Sequence, residues 1–295
     1  MMSATAPAPA DRIRNAFTCD VEDYFQVSAF APYIDRASWP TRECRVEANI
    51  DRILGLMADA RVQGTFFTLG WIAERYPEMV KRIVAGGHEL ASHGYGHLRA
   101  SDQDLAEFTN DITSSKKLLE DLGGQAVTGY RAPSFSIGTA NLWALDALQA
   151  AGYRYSSSIY PIKHDHYGMP DAPRFAFYPN GADGLLEVPI TTVRLMERNL
   201  PAGGGGYFRL LPYAVSRWLM EKVNSEDRQA AIFYFHPWEI DPGQPRPAGV
   251  DMKSRFRHYV NMGRMENRIR ALTGDFAWDR MDRIFLDRPT MECAA

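Results

Sequence analysis

The feature that most constrains the fold of this chain is a repeated alternation between short apolar segments and longer segments with helical spacing. Segment 64–70 is an apolar run bounded by glycines, and segment 46–60 before it has apolar residues on one helical face. Such strand-then-helix units favour a parallel sheet, because each helix returns the chain to the same edge. About seven such units predict a barrel rather than an open sheet. The predicted strands are 16–19, 64–70, 88–92, 127–130, 153–159, 185–188 and 231–235, and the predicted helices are 46–60, 71–85, 102–122, 139–151, 211–223 and 252–272.

Size, composition and charge agree with a single α/β barrel. The chain has 295 residues, of which 45% are hydrophobic and 23% charged, the composition of an ordinary globular enzyme. A net charge of −3 argues against a nucleic-acid partner. The three cysteines show neither a disulfide framework nor a zinc-knuckle spacing.

The N-terminal segment 1–15 is predicted to be a disordered tail. It is rich in alanine and proline and lacks the apolar core of a signal peptide. No run approaches the roughly 18 apolar residues that a membrane span needs. These features predict a cytoplasmic protein without a membrane span, and export by another route stays open.

Polar residues collect just after several of the predicted strands. Asp20, His93, Arg131 and His236 each follow one of them. Because sites in barrels lie at the carboxyl ends of the strands, these four side chains are expected to face one mouth. This convergence, more than any single motif, predicts a functional site.

The histidines at this predicted mouth suggest a metal site. His93 and His97 lie four residues apart, so in the first turn of a helix, or in a tight loop entering one, both could reach one divalent ion. A carboxylate from segment 20–23 would complete a three-ligand set with a position open for water, the arrangement of catalytic zinc. A lone histidine pair at this spacing is more often structural. The prediction of a metal site therefore depends on the nearby carboxylates and on His236.

A set of this kind can carry out metal-assisted hydrolysis of an amide or ester. A second carboxylate would accept the proton of the water, and His236 would protonate the leaving group. Arg131 would keep that carboxylate ionised and oriented. Alternatively, Glu22 and Asp23 could be solvated loop residues, and His236 a satisfied core histidine.

These motifs, in this order, resemble the polysaccharide deacetylases with a NodB-homology domain, carbohydrate esterase family four. Segment 17–22 is similar to the first motif of the family, 93–97 to the second, 131–133 to the third and 235–236 to the last. The resemblance implies a distorted (β/α)7 barrel that removes N-acetyl groups from the amino sugars of a polysaccharide. A finer similarity is to the subgroup associated with exopolysaccharide and exosortase (PEP-CTERM) loci.

The resemblance also divides the chain and implies the partner and cofactor. It predicts a barrel over 16–240 and a C-terminal helical extension over 241–295 packed on it, after the tail 1–15. The expected cofactor is a divalent metal, zinc first, with Co2+, Ni2+ or Fe2+ as alternatives. The expected partner is a polysaccharide or oligosaccharide substrate.

The implied site departs from the usual pattern in its first motif. The family usually has two adjacent aspartates there, but Val21 follows Asp20 in this chain. Residues two apart on a strand share a face, so Glu22 is the predicted ligand, with Asp23 as a competing ligand. The predicted catalytic residues are Asp20 as base, His236 as acid and Arg131, and the predicted metal ligands are Glu22, His93 and His97.

The fourth motif departs as well. The family usually supplies there an aspartate that orients the catalytic histidine and a tryptophan that lines the acetyl pocket, but segment 155–158 has neither. Asp165 or Asp171 is predicted to orient His236. The predicted substrate-binding residues are Tyr24, Trp238 and Phe135. Two other hypotheses are an allantoinase-like or formamidase-like enzyme for small substrates and a catalytically silent carbohydrate-binding module.

Overall fold

The computed structural model describes residues 12–164 and 167–287. Its strands are β1 (Arg14–Val21), β2 (Thr65–Thr68), β3 (Glu89–Ser92), β4 (Gly129–Tyr130), β5 (Tyr155–Ser156), β6 (Leu186–Glu187), β7 (Thr192–Leu195), β8 (Arg198–Pro201), β9 (Ile232–Phe235) and β10 (Ala277–Asp279). Its helices are α1 (Val46–Ala60), α2 (Gly70–Arg75), α3 (Pro77–Ala85), α4 (Leu105–Gly123), α5 (Trp143–Ala150), α6 (Gly205–Leu210), α7 (Tyr213–Lys222), α8 (Met252–Tyr259), α9 (Met265–Asp275) and α10 (Met281–Phe285). Short 3-10 turns cover Tyr24–Gln26, Ser28–Phe30, Arg36–Thr41, Ala100–Asp102, Pro133–Phe135, Pro237–Ile240 and Met262–Arg264, and a π turn covers Val223–Asp227.

The main sheet is parallel and curled. Within the described residues it contains eight strands: β1 pairs with β2, β9 and β10, and β2 to β6 follow in chain order. No ladder joins β6 to β9 in this part of the chain, so the barrel is incomplete. A curled parallel sheet that does not close confirms the prediction of a distorted (β/α)7 barrel. Strands β7 and β8 form a separate antiparallel pair.

Both faces of the central parallel strands are buried, which explains why apolar and polar residues do not alternate strictly along β2 and β9. In β2, Phe66 packs on the outer side in a cluster with Ile50 and Ile53 of α1. Its neighbour Phe67 lies in a different cluster with Ala91 of β3. A strand covered by helices outside and filled by side chains inside needs no polar alternation.

Two predicted helices are broken in the structure. The predicted helix 71–85 is divided into α2 and α3, because Pro77 lacks an N–H and begins a new helix at its first position. The predicted helix 252–272 is divided into α8, a 3-10 turn and α9. Asn261, between α8 and that turn, has a φ of 53°, which a continuous α-helix does not allow.

The segment after residue 240 contributes more than helices. Strand β10 pairs in parallel with the start of β1, and Ile269 of α9 belongs to the core cluster that includes Ile50. Met281 and Ile284 of α10 pack at the amino end of the barrel. This segment is thus part of the barrel core. In the described residues, no helix combines the length and the apolar character that crossing a membrane requires.

Candidate active site

The residues predicted from the strand ends lie together at one mouth of the barrel. A pocket of about 220 Å³ there is lined by Asp20, Glu22, His93, His97 and His236. Asp20 lies near the end of β1, and the other four residues follow β1, β3 and β9; the carboxyl ends of these parallel strands meet at one rim. Arg131, after β4, is fully buried beneath the pocket and contacts Asp20 from below.

Glu22, His93 and His97 form a compact group of potential metal ligands. One ligand atom from each can be chosen so that all lie within 4.8 Å of one another, and all three residues are buried. Nε2 of His97 lies 2.6 Å from Oε2 of Glu22. One carboxylate and two imidazoles are the ligands that a catalytic zinc site uses, so this donor set fits a divalent metal.

The environment of His93 prepares its ring for ligation. Its Nδ1 lies 2.7 Å from the backbone carbonyl oxygen of Arg131, which can only accept, so Nδ1 carries the proton and Nε2 keeps its lone pair. Burial lowers the pKa of His93 to about 4, so the ring is neutral near pH 7. A neutral imidazole held by a carbonyl is the usual state of a metal-binding histidine.

The two histidines lie in a tight loop rather than in a helix. Gly94 has a φ of 75°, and a Cβ there would lie 2.6 Å from Oδ2 of Asp111. That carboxylate, from α4, accepts hydrogen bonds from the backbone N–H of Tyr95 at 3.1 and 3.2 Å. Asp111 thus holds the loop that presents both imidazoles, and only glycine fits at position 94.

Asp23, the competing ligand, is directed away from the histidines. Its Oδ1 accepts from the backbone N–H of Tyr24 at 2.8 Å. Its Oδ2 accepts from the N–H groups of Arg45 and Val46, at 2.6 and 2.9 Å, where α1 begins. Because both oxygens serve the backbone, Glu22 is the carboxylate that the structure brings to the histidine pair.

Asp20 and Arg131 form a buried ion pair. The guanidinium nitrogen Nη1 of Arg131 lies 2.6 Å from Oδ1 of Asp20, and it also donates to the hydroxyl of Thr18 at 2.9 Å. The remaining guanidinium nitrogens donate to Ser157, to its carbonyl at 3.3 Å and its hydroxyl at 3.2 Å. The stretch that lacks the usual fourth motif therefore holds the arginine that fixes Asp20.

Glu239 is the carboxylate that faces His236, and it was not among the residues predicted from the sequence. Its Oε2 lies 3.5 Å from Nδ1 of His236 and accepts the backbone N–H of that histidine at 3.0 Å. Its Oε1 accepts from Nε of the buried Arg209 at 2.9 Å.

Asp171 is exposed and Asp165 lies outside the described residues, so neither prediction of an orienting aspartate gains support. The sequence does contain a signal for Glu239. Pro237 begins a 3-10 turn directly after His236, and such a turn brings the residue three positions later back to the histidine.

A run of four glycines, residues 203–206, packs against this arrangement. Gly205 begins α6 and is buried. A Cβ there would lie 2.0 Å from Oε2 of Glu239, whereas a Cβ on Gly206 would meet nothing within 4 Å. The glycine at position 205 is thus needed for close approach to the carboxylate that orients His236.

The three predicted substrate-binding aromatic residues divide into two groups. Phe135 and Trp238 line the pocket, and the Trp238 indole N–H donates to Oε1 of Glu22 at 3.1 Å. Tyr24, by contrast, does not line this pocket. The cap formed by Asp23 turns the chain, and Tyr24 is buried in an aromatic cluster with its ring 5.3 Å from that of Phe25.

Comparison of the sequence with known families divides the chain into two parts. Residues 38–156 match the family described as "Polysaccharide deacetylase". Residues 157–286 match a "Domain of unknown function (DUF3473)". The second part contains His236, Glu239 and Arg209, so the His236 side of the pocket comes from the part of the chain that matches this domain.

Curated relatives match part of the chain. A peptidoglycan deacetylase of Helicobacter pylori is 34% identical over 115 residues, 38% of either protein. A peptidoglycan-N-acetylglucosamine deacetylase of Bacillus cereus is 35% identical over 82 residues, 28% of this chain and 30% of that protein. A chitin deacetylase of Pestalotiopsis is 29% identical over 138 residues, 45% of either protein. The chain thus spans between 30% and 45% of the length of each of these three relatives.

Solved structures share the fold of the whole described chain. A protein from Mycobacterium smegmatis assigned as a polysaccharide deacetylase superposes with a TM-score of 0.62 at 20% identity, over 99% of either chain. The PuuE allantoinase superposes with a TM-score of 0.56 at 14% identity, over 95% of this chain and 93% of its own. At these identities the likeness concerns the barrel and not the reaction.

Proposed function

We propose that this chain, in which residues 38–156 match the polysaccharide deacetylase family, is a metal-dependent hydrolase that removes N-acetyl groups from the amino sugars of a polysaccharide. One observation carries the proposal. The potential ligands Glu22, His93 and His97 share a pocket with a carboxylate fixed by Arg131 and a histidine fixed by a second carboxylate. Ligands, base and acid are the parts that hydrolysis of an amide requires.

The metal group would be held by Glu22, His93 and His97. A divalent ion held there would supply Lewis acidity, which lowers the pKa of a bound water and polarises a carbonyl oxygen. The protein supplies the neutral ring of His93 and the rigid loop that fixes both imidazoles. Zinc is the proposed ion because the donor set of two nitrogens and one oxygen matches its preference.

Asp20 is the proposed general base and His236 the proposed general acid. Oδ1 of Asp20 is held by Arg131 within the pocket wall, which leaves Oδ2 as the atom to accept the proton of the attacking water. Glu239 faces Nδ1 of His236, so Nε2, on the pocket side and 3.6 Å from Oε1 of Glu22, is the atom that would protonate the leaving amine. Acetate and a free amino sugar are the products.

The substrate class is proposed from the pocket and from what the relatives are named for. The relatives are named for the deacetylation of peptidoglycan, of N-acetylglucosamine in peptidoglycan, and of chitin. The pocket opens to solvent beside exposed aromatic residues, which suits a chain of sugars better than a small enclosed ligand. We place this activity in the synthesis of an exopolysaccharide or cell-envelope polysaccharide.

Acetate release tests the proposal. The purified chain is incubated with N-acetylglucosamine oligomers as isolated, after chelation, and after return of zinc, with small cyclic amides as a separate arm. We expect acetate from the oligomers only, loss of activity on chelation, and recovery with zinc. Activity that resists chelation would contradict the metal role, and turnover of cyclic amides alone would favour an allantoinase-like enzyme.

A further inference from the structure

A second pocket adjoins the site pocket. It has a volume of about 260 Å³, and its wall is shared with the site pocket through Tyr167 and Tyr234. Helices α6 and α8 supply most of the rest of its wall, together with His164 and Val260. All of these residues lie in the part of the chain that matches the domain of unknown function. A ligand seated in the site pocket can therefore extend into the second pocket past two tyrosine rings.

The wall of the second pocket is aromatic and open. Phe256 is 60% exposed and Tyr207 38% exposed, although both are large rings that folding would bury if it could. Exposed aromatic rings beside a binding pocket provide flat faces on which the apolar faces of sugar rings stack. Tyr167 and Tyr234 add two further rings to this wall.

The charge of this pocket has one sign. Arg257 contributes the only charged side chain that lines it within the described residues, apart from the titratable His164, and no carboxylate is part of the wall. The guanidinium of Arg257 is exposed and forms no ion pair with a carboxylate in the part of the chain that the structure describes. Lys253 and Arg255 on the same helix add positive charge to a chain whose net charge is −3. The local charge is thus opposite to that of the whole molecule.

The position of Arg257 is fixed from behind. The buried Arg209 donates to the backbone carbonyls of Arg257 at 3.2 Å, of His258 at 2.7 Å and of Val260 at 2.8 Å. The same Arg209 binds Glu239, which faces His236. The end of α8 that carries Arg257 is therefore tied to the acid side of the site pocket.

We propose that the second pocket binds the sugar next to the one that is deacetylated, and that Arg257 selects a neighbour that carries a carboxylate. The proposal rests on the proposed function for the identity of the first sugar. A planar guanidinium matches a carboxylate by two parallel hydrogen bonds, and the aromatic wall matches a pyranose ring. The substrate would then be a polymer in which N-acetylated amino sugars alternate with acidic sugars.

A matched pair of oligosaccharides tests this selectivity. In one, N-acetylglucosamine alternates with glucuronic acid; in the other, the same carboxylates have been reduced to hydroxymethyl groups. Acetate release and calorimetric binding are measured for the wild-type chain, for Arg257→Gln and for Arg255→Gln, a cation on the same helix that does not line the pocket. Phe256→Ala tests the aromatic wall, and because Phe256 is exposed this variant should fold.

We expect the wild-type chain to prefer the acidic oligosaccharide by roughly three- to tenfold in kcat/KM and in binding, as a partly exposed charge pair would provide. Arg257→Gln should remove the preference, and Arg255→Gln should keep it. Phe256→Ala should weaken the binding of both oligosaccharides. Equal use of the two oligosaccharides, or a preference that survives Arg257→Gln, would overturn the inference while leaving deacetylation established. Binding that depends on Arg257 without acetate release would instead overturn the proposed function and retain the acidic-sugar site, and neither binding nor release would overturn both.

Discussion

Two buried glutamates at opposite ends of the barrel show how one residue type takes different roles. Glu22, at the carboxyl end of β1, is 2% exposed, and Glu89, at the amino end of β3, is 4% exposed. Glu89 accepts hydrogen bonds from the hydroxyls of Thr65 and Tyr155, at 2.6 and 3.0 Å, and from the backbone N–H of Asp282 at 3.1 Å. Glu22 accepts an indole N–H and otherwise faces imidazoles.

The neighbours determine the charge state of each carboxyl. Burial, together with the carboxylate of Asp282, raises the pKa of Glu89 to about 7. Burial also raises the pKa of Glu22, but the charges of His97 and His236 outweigh it and hold that pKa below its ordinary value. Hydroxyl and amide donors thus surround Glu89, which joins the C-terminal segment to the barrel. Imidazoles instead stabilise the ionised form of Glu22, the carboxylate of the proposed metal site.

The largest expected difference between the two ends is catalytic. Asp20→Asn removes the proposed base and should lower kcat for acetate release by roughly 10²- to 10⁴-fold, the usual contribution of a general base. Glu89→Gln, at the opposite end, should keep kcat within about twofold because it touches neither substrate nor ligands. Acetate release at saturating substrate measures both.

Thermal unfolding of the two variants supplies the control for this contrast. Asp20→Asn leaves Arg131 buried with a neutral partner, so its melting temperature must stay above the assay temperature for the loss to count as catalytic. An Asp20→Asn variant that is folded and fully active would remove Asp20 from the proposed mechanism.

The next effect concerns the acid side of the pocket. Glu239→Gln keeps an oxygen for Arg209 but removes the negative charge beside Nδ1 of His236. We expect kcat to fall roughly 10- to 100-fold, as for other groups that orient a functional imidazole, with KM nearly unchanged because Glu239 does not line the pocket. An increase in KM at constant kcat would show that Glu239 shapes substrate binding instead.

Stability should depend on pH through the amino end of the barrel. The folded-state pKa of Glu89, about 7, lies above the ordinary value near 4.5, so its contribution to stability is full below about pH 4.5 and is lost as the pH rises through 7. Between pH 5 and pH 8 the wild-type chain should lose on the order of 2–3 kcal/mol more unfolding free energy than Glu89→Gln, whose amide mimics the protonated acid.

Urea unfolding of the two proteins at both pH values gives this difference directly. Because only one residue is changed, other titrating groups cancel in the comparison. If the unfolding free energies of the two proteins changed in parallel with pH, Glu89 would be ionised in the folded protein. Its three hydrogen-bond donors would then lower its pKa by more than burial raises it.

The smallest expected effect separates two adjacent glycines. Gly205→Ala places a methyl group against Glu239 and should cost about 1–3 kcal/mol of unfolding free energy, together with a part of kcat. Gly206→Ala points into open space within α6 and should be neutral or stabilising by up to about 1 kcal/mol. Thermal melts and acetate assays of both variants check this, and equal behaviour would mean that α6 shifts to accommodate the methyl group.

The barrel and the metal-binding group could be predicted from the sequence for one physical reason. Strand length and helical spacing locate the carboxyl ends of the strands, and these ends meet at one rim. The potential ligands Glu22, His93 and His97 and the proposed base Asp20 lie at or just after the carboxyl ends of strands, so their meeting needed no knowledge of side-chain packing.

Other parts depend on contacts that no local pattern encodes. Glu239 is fixed by Arg209, which lies on a different helix, and that pairing exists only in the folded chain. Tyr24 was expected at the pocket, but the cap formed by Asp23 turns it into the core. The break at Pro77 was visible in the sequence, whereas the one at Asn261 depends on a left-handed conformation of a residue that also tolerates helices.

Anomalous scattering from crystals loaded with zinc would test most directly whether the mouth of this barrel holds a metal. Data collected on either side of the zinc absorption edge locate the ion without reference to activity. We predict one strong peak at about 2.0–2.2 Å from a carboxylate oxygen of Glu22 and from one ring nitrogen each of His93 and His97. The peak should be absent in Glu22→Gln and retained in Glu89→Gln. No peak at this group, or a peak bounded by Asp23 in place of Glu22, would contradict the assignment.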